Sequence, residues 1–181
     1  MSIKLLGIAG SLRQKSTNKG LLRAAQASLP EGVSMEIAEL GDIPFYNADI
    51  TDKPAAVKRV LAQIAAADAL VLACNEYNYS LAPALKNIID WASREPDNAL
   101  LAGKAVAIMG AAGGMGSSRA QYHLRQVCVC LDLQPLNKPE VFANAFANTF
   151  DGDGNLTDER LTKLVKDQMQ ALADKVTRLR A

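Results

Sequence analysis

The chain is poor in the residues that several protein classes require. It has a single histidine, His123, among 181 residues, which excludes a metal site built from several histidines, and three cysteines are too few for a disulfide scaffold. Lysine and arginine number 20 against 19 aspartates and glutamates, so the basic charge of a nucleic-acid-binding domain is missing. The longest apolar run, residues 65–74, is interrupted by Asp68 and is shorter than the roughly 20 residues of a membrane span. We therefore expect no nucleic-acid partner and no membrane partner.

The remaining composition is that of an ordinary folded domain. Apolar residues make up 49% of the chain and charged residues 22%, which excludes intrinsic disorder. We expect one domain over residues 1–181, because a domain usually holds about 100–200 residues. The first residues do not begin a signal-peptide pattern, and together with the free cysteines this favours a cytoplasmic protein.

Short apolar runs alternate with helical patterns along the chain. Apolar runs predict strands at residues 3–9, 69–74 and 105–109, and a weaker, alternating pattern predicts one at 33–38. A short fifth strand is expected near residues 134–136. Apolar residues at helical spacing predict five helices, at residues 18–29, 54–66, 83–92, 124–131 and 161–179. This alternation is typical of an α/β protein whose parallel sheet carries helices on both faces. Five strands favour a flavodoxin-like three-layer sandwich with a five-stranded parallel sheet of order 2-1-3-4-5.

Three unusual loops follow the first, third and fourth predicted strands, where ligands bind in a sheet of this order. The first, residues 10–18, leads into a helix, and a helix N-terminus attracts anions. Ser11, Ser16 and Thr17 offer hydroxyl groups there, and Arg13 offers a guanidinium group for phosphate oxygens. Helix capping by Ser16 or by the asparagine that follows Thr17 is the alternative, but it accounts for only one or two polar residues. The loop as a whole predicts a phosphate-binding site.

The other two loops suit a flat ring. The loop after the third strand, residues 75–83, holds Tyr77 and Tyr79 beside a glutamate and two asparagines. Tyrosines with polar tips fit a heteroaromatic ligand, although a surface turn is the alternative. The loop at residues 110–119 is rich in glycine, which lets a ligand approach the backbone. Together the loops predict a phosphorylated ligand with a flat ring, and FMN has that shape.

Several motifs, in the same order along the chain, resemble those of the NAD(P)H-dependent FMN reductase family, in particular its bacterial quinone and chromate reductases. They are GSLR at 10–13 with Ser16 and Asn18, EYNYS at 76–80, LKN at 85–87 with DW at 90–91, and YHLRQ at 122–126. The resemblance covers roughly residues 3–139 and implies a flavodoxin-like fold, bound FMN and NAD(P)H as co-substrate.

The resemblance also implies where FMN binds. The phosphate lies in the first loop, the ribityl chain and ring lie along the second, and the glycines of the third flank the pyrimidine end. The cofactor-binding residues expected on this basis are Ser11, Arg13, Ser16, Thr17, Asn18, Glu76, Tyr77, Asn78, Tyr79, Gly113 and Gly114. The chemistry belongs to the flavin N5, so we expect no catalytic side chain and no metal ligand.

The implied reaction transfers a hydride from NAD(P)H to FMN and then reduces a quinone or similar acceptor by two electrons. Both substrates use the same ring face in turn, which predicts ping-pong kinetics, with chromate or azo compounds as incidental acceptors. The resemblance further implies a homodimer or homotetramer. A flavodoxin-like electron carrier and an FMN-binding protein without turnover stay open as alternatives, although a net charge of +1 is unlike an acidic carrier.

One residue departs from the family pattern, because Asn75 stands where a proline usually precedes Glu-Tyr-Asn. Proline fixes φ and lacks an N–H group, so we expect Asn75 to change the path of the loop beside the flavin. Cys74, Cys128 and Cys130 are expected to be buried thiols. Residues 151–155 are expected to form a turn before the last helix, since a calcium loop needs a glutamate that this segment lacks.

Overall fold

The computed structural model describes residues 2–181. The strands are β1 (Ile3–Ala9), β2 (Val33–Ala38), β3 (Ala69–Ala73), β4 (Glu76–Tyr77), β5 (Ser80–Leu81), β6 (Ala105–Ala112), β7 (Gln134–Pro135) and β8 (Val141–Asn144). The helices are α1 (Thr17–Ala27), α2 (Ala55–Ala66), α3 (Pro83–Ala92), α4 (Ser118–Cys130) and α5 (Glu159–Arg180), with a short 3-10 helix at Pro96–Asn98. None of the helices in residues 2–181 combines the length and apolar character needed to cross a lipid bilayer.

The main sheet is parallel, in the order β2-β1-β3-β6, with β7 and β8 sharing the position beside β6. The flavodoxin-like order with five strand positions is thereby confirmed. The fifth position differs from the prediction in detail. The segment 134–136 supplies only the two-residue strand β7, and β8 has no counterpart among the predicted strands. Between the two pieces the chain leaves the sheet and passes through a cis peptide bond before Pro139.

Strand β6 continues to Ala112, beyond its predicted end at Met109. The cause is β8, which pairs with β6 from Met109 to Ala112. The glycine-rich loop therefore starts at Gly113, whereas the sequence predicts that it starts at Gly110. Glycine and alanine have little preference for strands, so only the partner strand extends β6 this far.

The sheet separates two apolar layers. On one face, Leu6 and Ile8 of β1 share an apolar cluster with buried residues of α2, α3 and α4. On the other face, Leu5 and Ala9 of the same strand share a second cluster with buried residues of α1 and α5. Neighbouring residues of β1 enter opposite layers, as expected for a strand covered on both faces. The three-layer sandwich is confirmed, and its packing holds the carboxyl ends of β1, β3 and β6 side by side.

The thiols divide between core and surface. Cys74 and Cys128 are buried, but Cys130 is exposed, so the prediction that all three are core thiols is wrong for Cys130. Residues two apart on a helix lie on different sides. Only Cys128 lies on the side of α4 that packs into the core.

Candidate functional site

A cavity of about 450 Å³ opens at the carboxyl ends of β1, β3 and β6. The neighbouring strands β1 and β3 lead to helices on opposite faces of the sheet, which is the usual ligand position in a sheet of this order. Eight of the predicted binding residues line the cavity: Ser11, Arg13, Ser16, Thr17, Asn18, Glu76, Tyr77 and Gly113. The other three, Asn78, Tyr79 and Gly114, lie outside its lining in this structure.

The N-terminus of α1 forms one end of the cavity. Ser16 caps this helix, because its Oγ accepts a hydrogen bond of 3.3 Å from the Lys19 N–H. The capping interpretation is thus correct for Ser16, but it does not account for the buried Ser11 or the exposed Arg13, which also line the cavity. The first N–H groups of a helix have no partner within it, so this end presents donors and partial positive charge.

Asn18 is engaged with the sheet. Its Nδ2 donates to the Ala111 carbonyl at 2.8 Å, and its Oδ1 accepts from the Ala111 N–H at 2.9 Å. The Asn18 side chain is buried, and its amide bonds to both backbone groups of one β6 residue. Asn18 therefore fixes the distance between α1 and β6 across the cavity, and this is the role that its geometry supports.

The loop after β3 folds into a short hairpin that the sequence does not predict. Strands β4 and β5 pair antiparallel and are joined by Asn78 and Tyr79, whose φ values are 49° and 65°. Positive φ at both central residues is the signature of a type I′ turn. The turn carries Asn78 and Tyr79 to the hairpin tip, away from the cavity wall. There the Arg119 guanidinium lies over the Tyr79 ring, 4.2 Å from its centroid.

Glu76 anchors the hairpin to α4. Its Oε2 accepts a 3.2 Å hydrogen bond from the Ala120 N–H, and its Oε1 lies 3.7 Å from Arg119. Ser117 precedes this helix in a left-handed conformation with φ of 64° and forms no side-chain cap. The Glu76 carboxylate therefore takes the place of an N-cap residue, where a negative charge is stabilised by the helix dipole.

Two glycines show how closely the segments around the cavity approach one another. A Cβ on Gly10 would lie 2.5 Å from Asn75 Oδ1, and one on Gly110 would collide with Ser117 Oγ and the Cys74 carbonyl. In contrast, a Cβ on Gly113 or Gly114 would meet nothing within 4 Å. The glycines at 113 and 114 are thus not required by packing within the chain, which leaves open space over that side of the cavity.

The loop between β8 and α5, residues 145–158, closes the cavity. We call it the C-terminal loop, and it is the part of the site that the sequence analysis does not predict. The lining residues from this part of the chain are Ala145, Phe146, Phe150, Asp151, Gly152 and Gly154. Asp151 Oδ1 accepts from the N–H groups of Asp153 at 2.9 Å and Asn155 at 2.8 Å, so the expected turn is confirmed. A hydrogen bond from the Asn155 side chain, together with these two backbone bonds, holds the pKa of Asp151 below its usual value.

The C-terminal loop is bound to the start of α1. Lys15 Nζ lies 2.8 Å from Asp153 Oδ1, and Arg23 donates to Asn155 Oδ1 at 2.6 and 2.9 Å. The Gly154 carbonyl is so close to Gly20 that a Cβ there would collide with it. Contacts between residues 132 positions apart leave no periodic signal in a sequence. The one sequence feature that indicates a close contact here is Gly20, a glycine inside a predicted helix.

The buried thiol beside the site is inert. Burial, with a smaller contribution from Glu76, raises the pKa of Cys74 to about 12. The thiolate is the nucleophilic form of cysteine, so Cys74 is a packing residue near neutral pH. Within residues 2–181, no group of three or more His, Cys, Asp or Glu side chains is placed to hold a metal ion.

Comparison with known proteins matches residues 3–148 to the family model for NADPH-dependent FMN reductases. The chain is 51% identical over 181 residues to an NAD(P)H-dependent FMN reductase of Pseudomonas aeruginosa, covering 98% of this chain and 97% of that one. It is 44% identical to an NAD(P)H:quinone oxidoreductase of Solanum tuberosum, covering 94% and 91% of the two chains. The structure superposes with a TM-score of 0.87 on FerB, a flavoenzyme NAD(P)H:(acceptor) oxidoreductase from Paracoccus denitrificans, at 29% identity over 97% of this chain and 98% of that one.

Proposed function

The chain belongs to the NADPH-dependent FMN reductase family, and on that premise we propose that it is an FMN-dependent NAD(P)H:quinone oxidoreductase. FMN binds, in this proposal, in the cavity at the carboxyl ends of β1, β3 and β6. The observation that carries the proposal is the convergence of three separate loops, each predicted from the sequence to bind part of such a ligand, on one cavity of about 450 Å³. Residues 1–181 then act as one FMN-binding domain.

The donor groups of the cavity fit the phosphate of FMN. Ser11 and Thr17 supply hydroxyl groups, Arg13 supplies a positive charge, and the N-terminus of α1 supplies unpaired backbone N–H groups. A dianionic phosphate is stabilised by each of these. Lys15 adds a further charge at the same end, although it is already paired with Asp153 at 2.8 Å.

The opposite side of the cavity fits a flat ring. Bound FMN supplies two-electron redox chemistry between NAD(P)H and a quinone. Tyr77 and Gly113, which both line the cavity, would hold the ring, and a Cβ on Gly113 would meet nothing within 4 Å. Backbone N–H groups there would donate to the pyrimidine end of the ring and stabilise negative charge on it. No acidic or basic side chain is needed for the reaction.

The cavity mouth supports the proposed homodimer or homotetramer. Phe146 and Tyr77 line the cavity and are 87% and 49% exposed. A second copy that covers these side chains would remove apolar surface from water. Sedimentation velocity tests this arrangement, and Phe146→Glu is expected to shift the mass toward the monomer. A monomeric parent protein at micromolar concentration would contradict it.

The experiment that tests the proposed function is an anaerobic titration of the FMN-loaded protein. We expect flavin absorption bands that NADPH bleaches within seconds and that a quinone restores. Double-reciprocal plots of initial rate against NADPH concentration, at several fixed quinone concentrations, should give parallel lines. The reason is that the two substrates use one binding face in turn. The proposal extends to chromate and azo compounds as incidental acceptors and to a cytoplasmic location.

Each failure of this experiment has its own meaning. Bands that NADPH leaves unchanged would contradict the reductase and favour an electron carrier or an FMN-binding protein without turnover. Intersecting lines would contradict only the ping-pong order. A protein that binds no flavin at all would contradict the cofactor.

A further inference from the structure

Arg119 places a positive charge directly behind the cavity wall. Its guanidinium lies 3.7 Å from Oε1 of Glu76, which lines the cavity, and this distance is beyond hydrogen-bond length. Within residues 2–181 the Arg119 side chain donates no hydrogen bond, whereas both terminal nitrogens of Arg59 donate to Asp42, at 2.8 and 3.0 Å. The Arg119 side chain is 42% exposed, so its five N–H donors are available to an anion from solvent.

The ring of Tyr79 holds this guanidinium in place without using its donors. The guanidinium carbon lies 4.2 Å from the ring centroid, and arginine packs on aromatic faces while its N–H groups bind elsewhere. Tyr79 lies at the tip of the hairpin, which is fixed to α4 because Glu76 accepts a 3.2 Å hydrogen bond from the Ala120 N–H. Arg119 is the second residue of α4, so both partners of the contact belong to segments that are already joined.

Arg119 lies at the ring end of the cavity. Glu76, which the guanidinium approaches, is followed by Tyr77, one of the two residues proposed to hold the ring. The cations that line the cavity itself, Arg13 and Lys15, lie at the phosphate end. A ligand that stacks on the ring and extends outward past the hairpin therefore meets the charge of Arg119.

The two nucleotide co-substrates differ in one group. NADPH carries a phosphate on the 2′ oxygen of its adenosine, where NADH has a hydroxyl group. The nicotinamide has to lie on the flavin ring to transfer its hydride, so the adenosine, at the other end of the molecule, lies outside the cavity. Arginine binds phosphate through two parallel N–H bonds and is the residue that accommodates a 2′-phosphate in dinucleotide-binding folds.

We propose that Arg119 binds the 2′-phosphate of NADPH and makes NADPH the preferred hydride donor. This inference rests on the proposed function and deepens it, since it assigns the choice between the two nucleotides to one side chain. Tyr79 is the positioning residue, because its ring fixes the guanidinium. The hairpin tip, which does not line the cavity, thereby acts on the co-substrate and not on FMN.

The test compares NADPH with NADH as reductants of the FMN-loaded protein in an anaerobic stopped-flow experiment. At limiting nucleotide, NADPH should reduce the parent protein about 10- to 100-fold faster than NADH does, the effect of a hydrogen bond to a charged group. Arg119→Met keeps an unbranched side chain over Tyr79 and should lose about 10- to 100-fold with NADPH, but less than about 3-fold with NADH. Arg119→Lys keeps the charge without the paired donors and should fall between the two.

A binding measurement gives the same contrast without turnover. 2′,5′-ADP carries the 2′-phosphate and 5′-AMP lacks it, so calorimetric titration of the FMN-loaded parent should show tighter binding of 2′,5′-ADP. Arg119→Met should remove this difference, and Tyr79→Leu should reduce it, because the guanidinium is then present but no longer fixed. Arg178→Met removes an exposed charge near the end of α5, away from the cavity, and should leave the difference as it is in the parent.

Three outcomes would overturn the inference: a parent protein that prefers neither NADPH nor 2′,5′-ADP, equal losses with both nucleotides in Arg119→Met, or a loss confined to reoxidation of the reduced flavin by chromate. The last result would make Arg119 a site for an anionic acceptor. In each case a nucleotide still reduces the flavin and the proposed function stands. A parent protein that neither nucleotide reduces would overturn both proposals together.

Discussion

Asn18 and Ala111, which are 93 residues apart in the chain, are joined by two hydrogen bonds of 2.8 and 2.9 Å between the asparagine amide and both backbone groups of the alanine. The bonds connect the second residue of α1 to the penultimate residue of β6. Both walls of the cavity depend on this connection, since the N-terminus of α1 forms one end of the cavity and β6 leads to the glycine-rich loop. A side chain that a motif assigns to the cofactor thus holds the two binding segments at a fixed distance.

We expect Asn18→Ala to lower the free energy of unfolding by about 2–4 kcal/mol, because two buried hydrogen bonds are lost and the Ala111 groups are left unpaired. FMN affinity should fall as well, through the altered spacing of the walls. Urea denaturation of the flavin-free protein measures the first effect. Gln14→Ala, at an exposed position of the same loop, is the matched control and should change stability by less than about 0.5 kcal/mol. Equal stability of Asn18→Ala and this control would contradict the assigned role.

Gly20→Ala is expected to destabilise the protein by about 1–3 kcal/mol, although alanine is the better helix former by about 1 kcal/mol. The reason is the Gly154 carbonyl, which occupies the space that a Cβ on Gly20 needs. Thermal unfolding of the variant checks the sign of the effect. Gly41→Ala, where a Cβ meets nothing within 4 Å, should be close to neutral. A stabilised Gly20→Ala protein would show that the C-terminal loop does not press on α1.

Arg13→Ala is expected to weaken FMN binding about 10- to 100-fold while leaving riboflavin binding unchanged, because a hydrogen bond to a charged group contributes about 1.5–3 kcal/mol and riboflavin lacks the phosphate. Calorimetric titration with both flavins measures the difference. Arg160→Ala, an exposed arginine on α5 outside the cavity, serves as the control for loss of surface charge. An equal loss of affinity for both flavins would place Arg13 away from the phosphate.

Native-state alkylation should modify Cys130 far faster than Cys74 or Cys128. Burial raises the pKa of Cys74 to about 12 and that of Cys128 to about 11, whereas Cys130 is exposed. Mass spectrometry of the protein after brief iodoacetamide treatment at pH 8 checks this order. Rapid modification of Cys74 would show that the end of β3 opens to solvent.

The same shifts predict how stability depends on pH. In the unfolded chain the Cys74 thiol loses its proton near the ordinary cysteine pKa of 9.0, but in the folded protein it does so only near 12. Above pH 9 the folded state therefore binds more protons than the unfolded state, so the free energy of unfolding falls as the pH rises toward 12. Cys74→Ala should lose stability less steeply over this range than the parent. Identical slopes for the two proteins would contradict the raised pKa.

The sequence predicts the features that depend on neighbouring residues. The apolar run at residues 3–9 gives the observed bounds of β1, because a strand covered on both faces needs such a run wherever it lies. The weaker, alternating pattern at residues 33–38 gives the bounds of β2. The order of the sheet then follows from its alternation with helices, and the order places the binding loops at one edge. The order of the sheet, together with the family motifs, is the reason that eight predicted residues line one cavity.

Tertiary structure alone decides the features that depend on distant partners. The length of β6 follows from its pairing with β8, and the role of Asn18 follows from the position of Ala111. The C-terminal loop belongs to the site because Gly154 packs against Gly20, and the positive φ of Asn78 and Tyr79 moves both residues to a hairpin tip. These features arise from close packing between segments far apart in the chain, and such contacts leave no local periodicity from which a sequence can predict them.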